Sequence, residues 1–182
     1  MARFSRQRLV VLAAVAAALA LAGCRDDSRT LNCPGVAILA DAATRPVLKA
    51  GAPPTDPASV LYTVQAIDID SSCRLDARRG ETDSNVNVTF RATRPPSSQA
   101  AHYVVPYFLA INQAERVINK RSFNIAVDFA PGASSVMVQT SILDTVLKLD
   151  NGRLPMEYQF LVGFPLSAEE QAYNKAVGRY TP

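Results

Sequence analysis

Few residues in this chain combine the type and the spacing that chemistry needs. His102 is the single histidine among 182 residues. Hydrolytic triads on Ser or Cys use a His base, so any such enzyme would have to be organised around it. It sits in Gln99-Ala100-Ala101-His102-Tyr103, just ahead of an apolar run, and no GxSxG elbow occurs anywhere. That setting predicts a solvated histidine at a strand end. Asp68-Ile69-Asp70-Ser71-Ser72 offers two carboxylates followed by hydroxyls, oxygen ligands of the kind calcium takes. Asp68 and Asp70 are therefore the candidate calcium ligands. The segment lacks the glycine and distal glutamate of an EF-hand loop, and on a strand the two carboxylates would simply share a polar face. GxGxxG and P-loop signatures are absent, which leaves nucleotide binding without a motif. The carboxylate pair of a glycosidase is not marked out among the 16 acidic residues. The expectation is a chain that is not an enzyme, with no catalytic residue, no cofactor and no resident metal.

The remaining reactive side chains are Cys24, Cys33 and Cys73, and their chemistry depends on where the chain resides. Residues Leu9 to Cys24 read LVVLAAVAAALALAGC behind Arg3, Arg6 and Arg8. A bilayer-spanning helix needs about 20 apolar residues, and the run from Leu9 to Gly23 has 15. A basic stub, a short apolar run and small residues before a break predict a secretory signal peptide. Its last four residues, Leu21-Ala22-Gly23-Cys24, resemble the lipobox of bacterial lipoproteins. The resemblance implies cleavage before Cys24, acylation of that cysteine with a palmitate-type chain, and anchoring to membrane lipid. In lipoproteins Asp directly after the acylated cysteine favours inner-membrane retention. Arg25 holds that place here, which implies the periplasmic face of the outer membrane. Residues 1–23 are then the signal, 24–32 the lipidated cysteine and tether, and 33–182 the domain. With Cys24 occupied, Cys33 and Cys73 remain, and an oxidising envelope makes a disulfide between them the default.

Removing the signal changes the charge argument. The precursor's net charge of +3 comes from 19 basic and 16 acidic residues. Arg3, Arg6 and Arg8 leave with the signal, so 16 of each sign remain on the mature chain. The sequence isoelectric point near 8.9 belongs to the precursor. No Lys/Arg run longer than two survives, and nucleic-acid binding loses its electrostatic footprint.

The elements that must position any site read as short strands. Val36 to Leu39 is a brief apolar run. Residues 41–59 hold four prolines and predict a long surface loop. Tyr62 to Ile69 follows. Then Val86, Val88, Phe90 and Ala92 alternate with Asn87, Thr89, Arg91 and Thr93, a strand with one wet face. Tyr103 to Ile111, Arg116 to Lys120 and Phe123 to Phe129 are further runs. Val136, Val138 and Ile142 share a parity that Leu143, Leu147 and Leu149 reverse, which predicts a bulge near Ile142. Asp150-Asn151-Gly152 is a tight-hairpin signal, pairing that strand with one in which Met156, Tyr158, Phe160, Val162 and Phe164 point inward. Ser167 and Glu170 form a capping box for a helix at about 167–177, with Ala168, Ala172, Tyr173, Ala176 and Val177 as its packing stripe. Strands at this spacing predict an all-β fold, an antiparallel immunoglobulin/fibronectin-like sandwich with one C-terminal helix.

One run breaks the alternation. In 103–111 both parities are apolar, and Pro106 removes a ladder donor, which favours an edge or a bulge. The run reads either as a strand covered on both sides, as by the terminal helix, or as an exposed strip, for which Val104, Pro106, Phe108 and Ala110 are the candidate partner-binding residues. Cys33-Pro34-Gly35-Val36-Ala37-Ile38-Leu39-Ala40-Asp41 and the segment 160–174 (FLVGFPLSAEEQAYN) resemble a group of small, uncharacterised lipoproteins of Gram-negative bacteria. The resemblance implies compartment and a one-domain layout and brings no activity. The expected function is a non-enzymatic binding or assembly module for an envelope protein. The alternative is a small-molecule or cell-wall glycan binder, with Tyr62, Tyr103, Tyr107 and Tyr158 as stacking residues.

Overall fold

A computed structural model describes residues 33–179 except 52, 54 and 151. The signal segment, Cys24 and the tether lie outside the described residues. The described residues form one compact unit, a sandwich of two four-stranded sheets. The first sheet runs, in spatial order, β1 (Gly35–Ile38), β8 (Tyr158–Gly163), β5 (Ala101–Gln113) and β6 (Arg116–Phe129). The second runs β2 (Thr44–Leu48), β3 (Val60–Asp76), β4 (Glu81–Thr93) and β7 (Ser135–Lys148). All neighbours are antiparallel except β1 and β8, which are parallel.

Period-two alternation builds the core. Val86, Val88, Phe90 and Ala92 of β4 are buried against Val105, Tyr107 and Leu109 of β5 and Val127 of β6. Phe90 anchors the middle, with its ring 5.1 Å from that of Tyr107 and 5.6 Å from that of Phe164. Single-residue bulges reset the parity of the long strands. In β3 the register jumps between Ala66 and Asp68, so Tyr62, Val64 and Ala66 face inward before it and Ile69 after it. In β7, Val86 pairs with Ile142 while Ser84 pairs with Thr145. The extra residue falls at Leu143-Asp144, where Asp144 has φ +53°. Ile142 and Leu147 are consequently both buried, as the reversed leucine parity predicts.

The disulfide joins Cys33 to Cys73. It ties the segment entering β1, at the edge of the first sheet, to β3 in the interior of the second. The two sheets are thereby linked covalently as well as by packing.

Five expectations need correction. Residues 41–59 are not one loop, because they contain β2 and two 3-10 turns, Ala40–Ala42 and Pro57–Ser59. Pro46 is compatible with β2 since that strand is a sheet edge, where the missing N–H costs no ladder bond on the open side. The runs 116–120 and 123–129 form one strand, β6. β7 and β8 do not form a hairpin; they belong to different sheets. The turn signal marks a crossing, pinned by the Tyr158 hydroxyl, which accepts from the Asp150 backbone N–H at 2.8 Å and from Gln113 Nε2 at 3.2 Å. Pro155–Glu157 forms a 3-10 turn ahead of β8, which leaves Met156 exposed. The helix, α1 (Ala168–Ala176), has the expected capping box, with Ser167 Oγ accepting from Glu170 N–H and the Glu170 carboxylate accepting from Ser167 N–H. Its packing face is different. Glu170, Tyr173 and Asn174 are buried, whereas Ala168, Ala172, Ala176 and Val177 are exposed. The buried polar groups are satisfied by β2: Arg45 Nε donates to Glu170 at 2.9 Å, and Asn174 Nδ2 donates to the Thr44 carbonyl at 2.7 Å.

Candidate interaction surface

The predicted partner-binding residues lie on the outward face of β5. Inward-pointing Tyr103, Val105, Tyr107, Leu109 and Ile111 join the core, and Val104, Pro106, Phe108 and Ala110 share the other side. They are not equally available. Val104 is 60 % exposed and Pro106 is half-buried. Phe108 and Ala110 are only 7 % and 3 % exposed, which corrects the expectation of a continuous exposed strip. Lys120 Nζ lies 3.9 Å from the Phe108 ring centroid. On its other side the ring presses on the backbone of Gly163, where an added Cβ would meet Phe108 Cζ and Ala42 Cβ at 2.9 Å each. Gly163 is thus a close-approach glycine. Sequence reading missed it because its contact partners are far away along the chain.

β5 is not an edge strand along its whole length. β8 flanks it only from Phe108 to Gln113. From Ala101 to Tyr107 its ladder partner is β6 alone. Pro106 falls in this half-flanked stretch, as the missing donor favours.

Register defines the surface around Val104. Pro106 stands opposite Asn124, Val104 opposite Ala126 and His102 opposite Asp128. On the other side of Pro106 the next row is Gly163, Phe108 and Ser122, and the one after it is Ala37, Leu161, Ala110 and Lys120. Between Lys120 and the His102–Asp128 pair this face carries no charged side chain. The outward face of the second sheet has a different character. Asp70 accepts from Asn87 Nδ2 at 2.9 Å, and Asn87 Oδ1 accepts from Ser141 Oγ at 2.6 Å, a polar ladder across β3, β4 and β7. Asp68, Arg74 and Asp83 stand on the same face, all exposed.

The other chemical candidates resolve simply. His102 Nδ1 is 2.6 Å from Asp128 Oδ1 in an exposed pair. Among the described residues this is its only side-chain hydrogen bond, so the pair addresses no Ser or Cys nucleophile. Asp68 and Asp70 share the wet face of β3. Among the described residues no group of three or more His, Cys, Asp or Glu is placed to hold a metal. The tyrosines proposed to stack a sugar are largely committed to the interior. Tyr107 and Tyr158 are buried, and Tyr62, also buried, stacks on Tyr103 with centroids 4.0 Å apart. Burial pushes the Tyr62 and Tyr107 hydroxyls above their ordinary pKa near 10. No aromatic cleft is left by this arrangement of the four rings. Among the described residues no helix is long and apolar enough to cross a membrane.

No protein-family model matches the chain, and no curated protein matches it either.

Proposed function

We propose that this chain is a lipoprotein of the bacterial envelope, acylated at Cys24 and held on the periplasmic face of the outer membrane. There it acts as a non-enzymatic binding module for another envelope protein. The observation that carries the reading is the half-flanked stretch of β5, where Val104 is exposed beside a strand flank that β8 does not reach. The outward face of the second sheet combines charges and side-chain hydrogen bonds with exposed Met137 and Val146. Around Val104 the first sheet is uncharged and mixed, with Ala126 and Pro106 beside exposed Asn124 and Ser122, and it is bordered by Lys120 and the His102–Asp128 pair. An uncharged patch with an exposed apolar side chain and a charged border suits a protein contact surface. The open flank of Ala101–Tyr107 adds unpaired backbone groups beside it, to which a partner strand could add.

The test is a photoactivatable crosslinker introduced into the full chain in cells, at Val104 or at Asn87. A discrete protein adduct at position 104 that is absent at 87 supports the proposal. Adducts to lipid and wall material alone, or equal labelling at both positions, would overturn it. The anchor is tested separately. Cys24→Ser should abolish palmitate incorporation and release the protein from membranes, and continued labelling would refute acylation at that residue.

A further inference from the structure

A second site lies on the opposite sheet. A cavity of about 230 Å3 is lined by Ala40, Ala43, Thr44, Thr63, Gln65, Arg91, Thr93 and Arg179. Strand register explains the floor: Thr44, Gln65 and Arg91 form one outward row across β2, β3 and β4, and Thr63 and Thr93 stand opposite each other in the next. The segment after α1 supplies the wall. The Arg179 N–H donates to the Asn174 carbonyl, its Nη1 donates to Asn174 Oδ1 at 3.4 Å, and its guanidinium lies 5.5 Å from the Tyr173 ring centroid. Two guanidiniums, three hydroxyls and a carboxamide therefore line one hollow, and no carboxylate does.

The charge balance is what singles this cavity out. The Arg91 side chain makes no ion pair and no hydrogen bond among the described residues. Glu170, the buried carboxylate of α1, is engaged by Arg45. Asp68 stands one row further along β3, opposite Thr89, and makes no ion pair with Arg91. By comparison, the cavity lined by Gln171, Asn174 and Lys175 of α1 also carries Asp41, so both signs of charge line it. Arginine suits oxyanions because its planar fork donates two parallel hydrogen bonds, and Thr and Gln add neutral donors. We infer that this cavity binds a phosphate-type oxyanion, held between Arg91 and Arg179 and completed by the Thr44, Thr63 and Thr93 hydroxyls. The same chemistry is offered by free phosphate and by the phosphate of a lipid headgroup.

The experiment follows backbone and side-chain NMR shifts of the full chain during titration with inorganic phosphate at constant ionic strength. In parallel, flotation with phosphatidic-acid vesicles is measured with and without competing phosphate. Saturable shifts confined to residues around Arg91 and Arg179, weakened at least about tenfold in Arg91→Gln by loss of a charge-assisted contact, are expected. Arg74→Gln, on the same face outside the cavity, should leave them unchanged. Arg91 is exposed, so its replacement leaves the core intact. Phosphate-competed flotation that needs Arg91 assigns the headgroup as the source; phosphate binding without flotation assigns the free anion. Equal phosphate responses in wild type and Arg91→Gln, together with flotation indifferent to Arg91, would overturn the site.

Discussion

Removing the disulfide by the double replacement Cys33→Ser/Cys73→Ser gives the sharpest quantitative expectation. The bridge closes a segment with a sequence separation of 40. In the chain-entropy model a loop of that size is worth about 4 kcal/mol at 25 °C, through the freedom it removes from the unfolded chain. A folded unit of about 150 residues gains about 0.3 kcal/mol per kelvin of unfolding entropy at its midpoint, so the loss translates into a fall in Tm of about 13 °C. Because such domains are stable by only about 5–15 kcal/mol, the variant should still fold, with much of its margin gone. Guanidinium unfolding and scanning calorimetry on both proteins measure this. The denaturant slope should also rise, since an unlinked denatured chain exposes more surface. A Tm decrease below about 3 °C with an unchanged slope would refute the entropic account. It would mean that packing alone holds β1 and β3 in place.

Three further changes probe other parts of the structure. The β5–β6 turn is a two-residue link in which Ala114 and Glu115 both have positive φ, +44° and +65°; Ala114→Asn/Glu115→Gly supplies the residues that this geometry prefers and should stabilise by about 1 kcal/mol in thermal or denaturant melts. Glu170→Ala removes both the capping-box acceptor and the partner of Arg45 and should cost about 2 kcal/mol, against less than about 0.5 kcal/mol for exposed Glu169→Ala. Stability should fall as pH rises above about 10, because the Tyr62 and Tyr107 hydroxyls keep their protons in the folded state after the unfolded chain has begun to release them; Tyr107→Phe should flatten that alkaline loss, and an unchanged pH profile would contradict it.

What was legible in the sequence was whatever a single strand or helix end dictates. Val86 to Ala92 show their buried parity because β4 has one wet face, and Ser167 with Glu170 announces a helix start because the cap is local. The reversed leucines of β7 revealed the bulge because a parity shift has a backbone cause. Long-range facts left no such trace. Asp150-Asn151-Gly152 reports that the chain turns, and says nothing of which sheet receives it. The packing face of α1 was misread because Glu170 and Asn174 look solvent-bound until Arg45 and the Thr44 carbonyl are placed beside them. Candidate surfaces follow the same division. The doubly apolar pattern of 103–111 was visible, but which half is covered depends on Gly163, Ala42 and Lys120. Arg91 and Arg179 share a cavity only because the helix end returns over β2 and β3.

The position of the disulfide also makes physical sense of how the core is composed. Around Phe90 the inner faces are aromatic and aliphatic, and burial alone favours closure. Toward the other end of β4 the inner face of the second sheet carries Thr82, Ser84 and Thr145, buried hydroxyls that make no hydrogen bond among the described residues. Buried hydroxyls contribute less hydrophobic gain than aliphatic groups of similar size, and each unsatisfied one is costly. Cys73 stands directly opposite Ser84 in the β3–β4 register. The covalent link therefore falls at the end of the sandwich where packing is least able to hold the sheets together. Such a domain relies on an oxidising compartment for part of its stability. That requirement is one that the signal segment predicted from residues 1–23 would meet, on grounds independent of the fold.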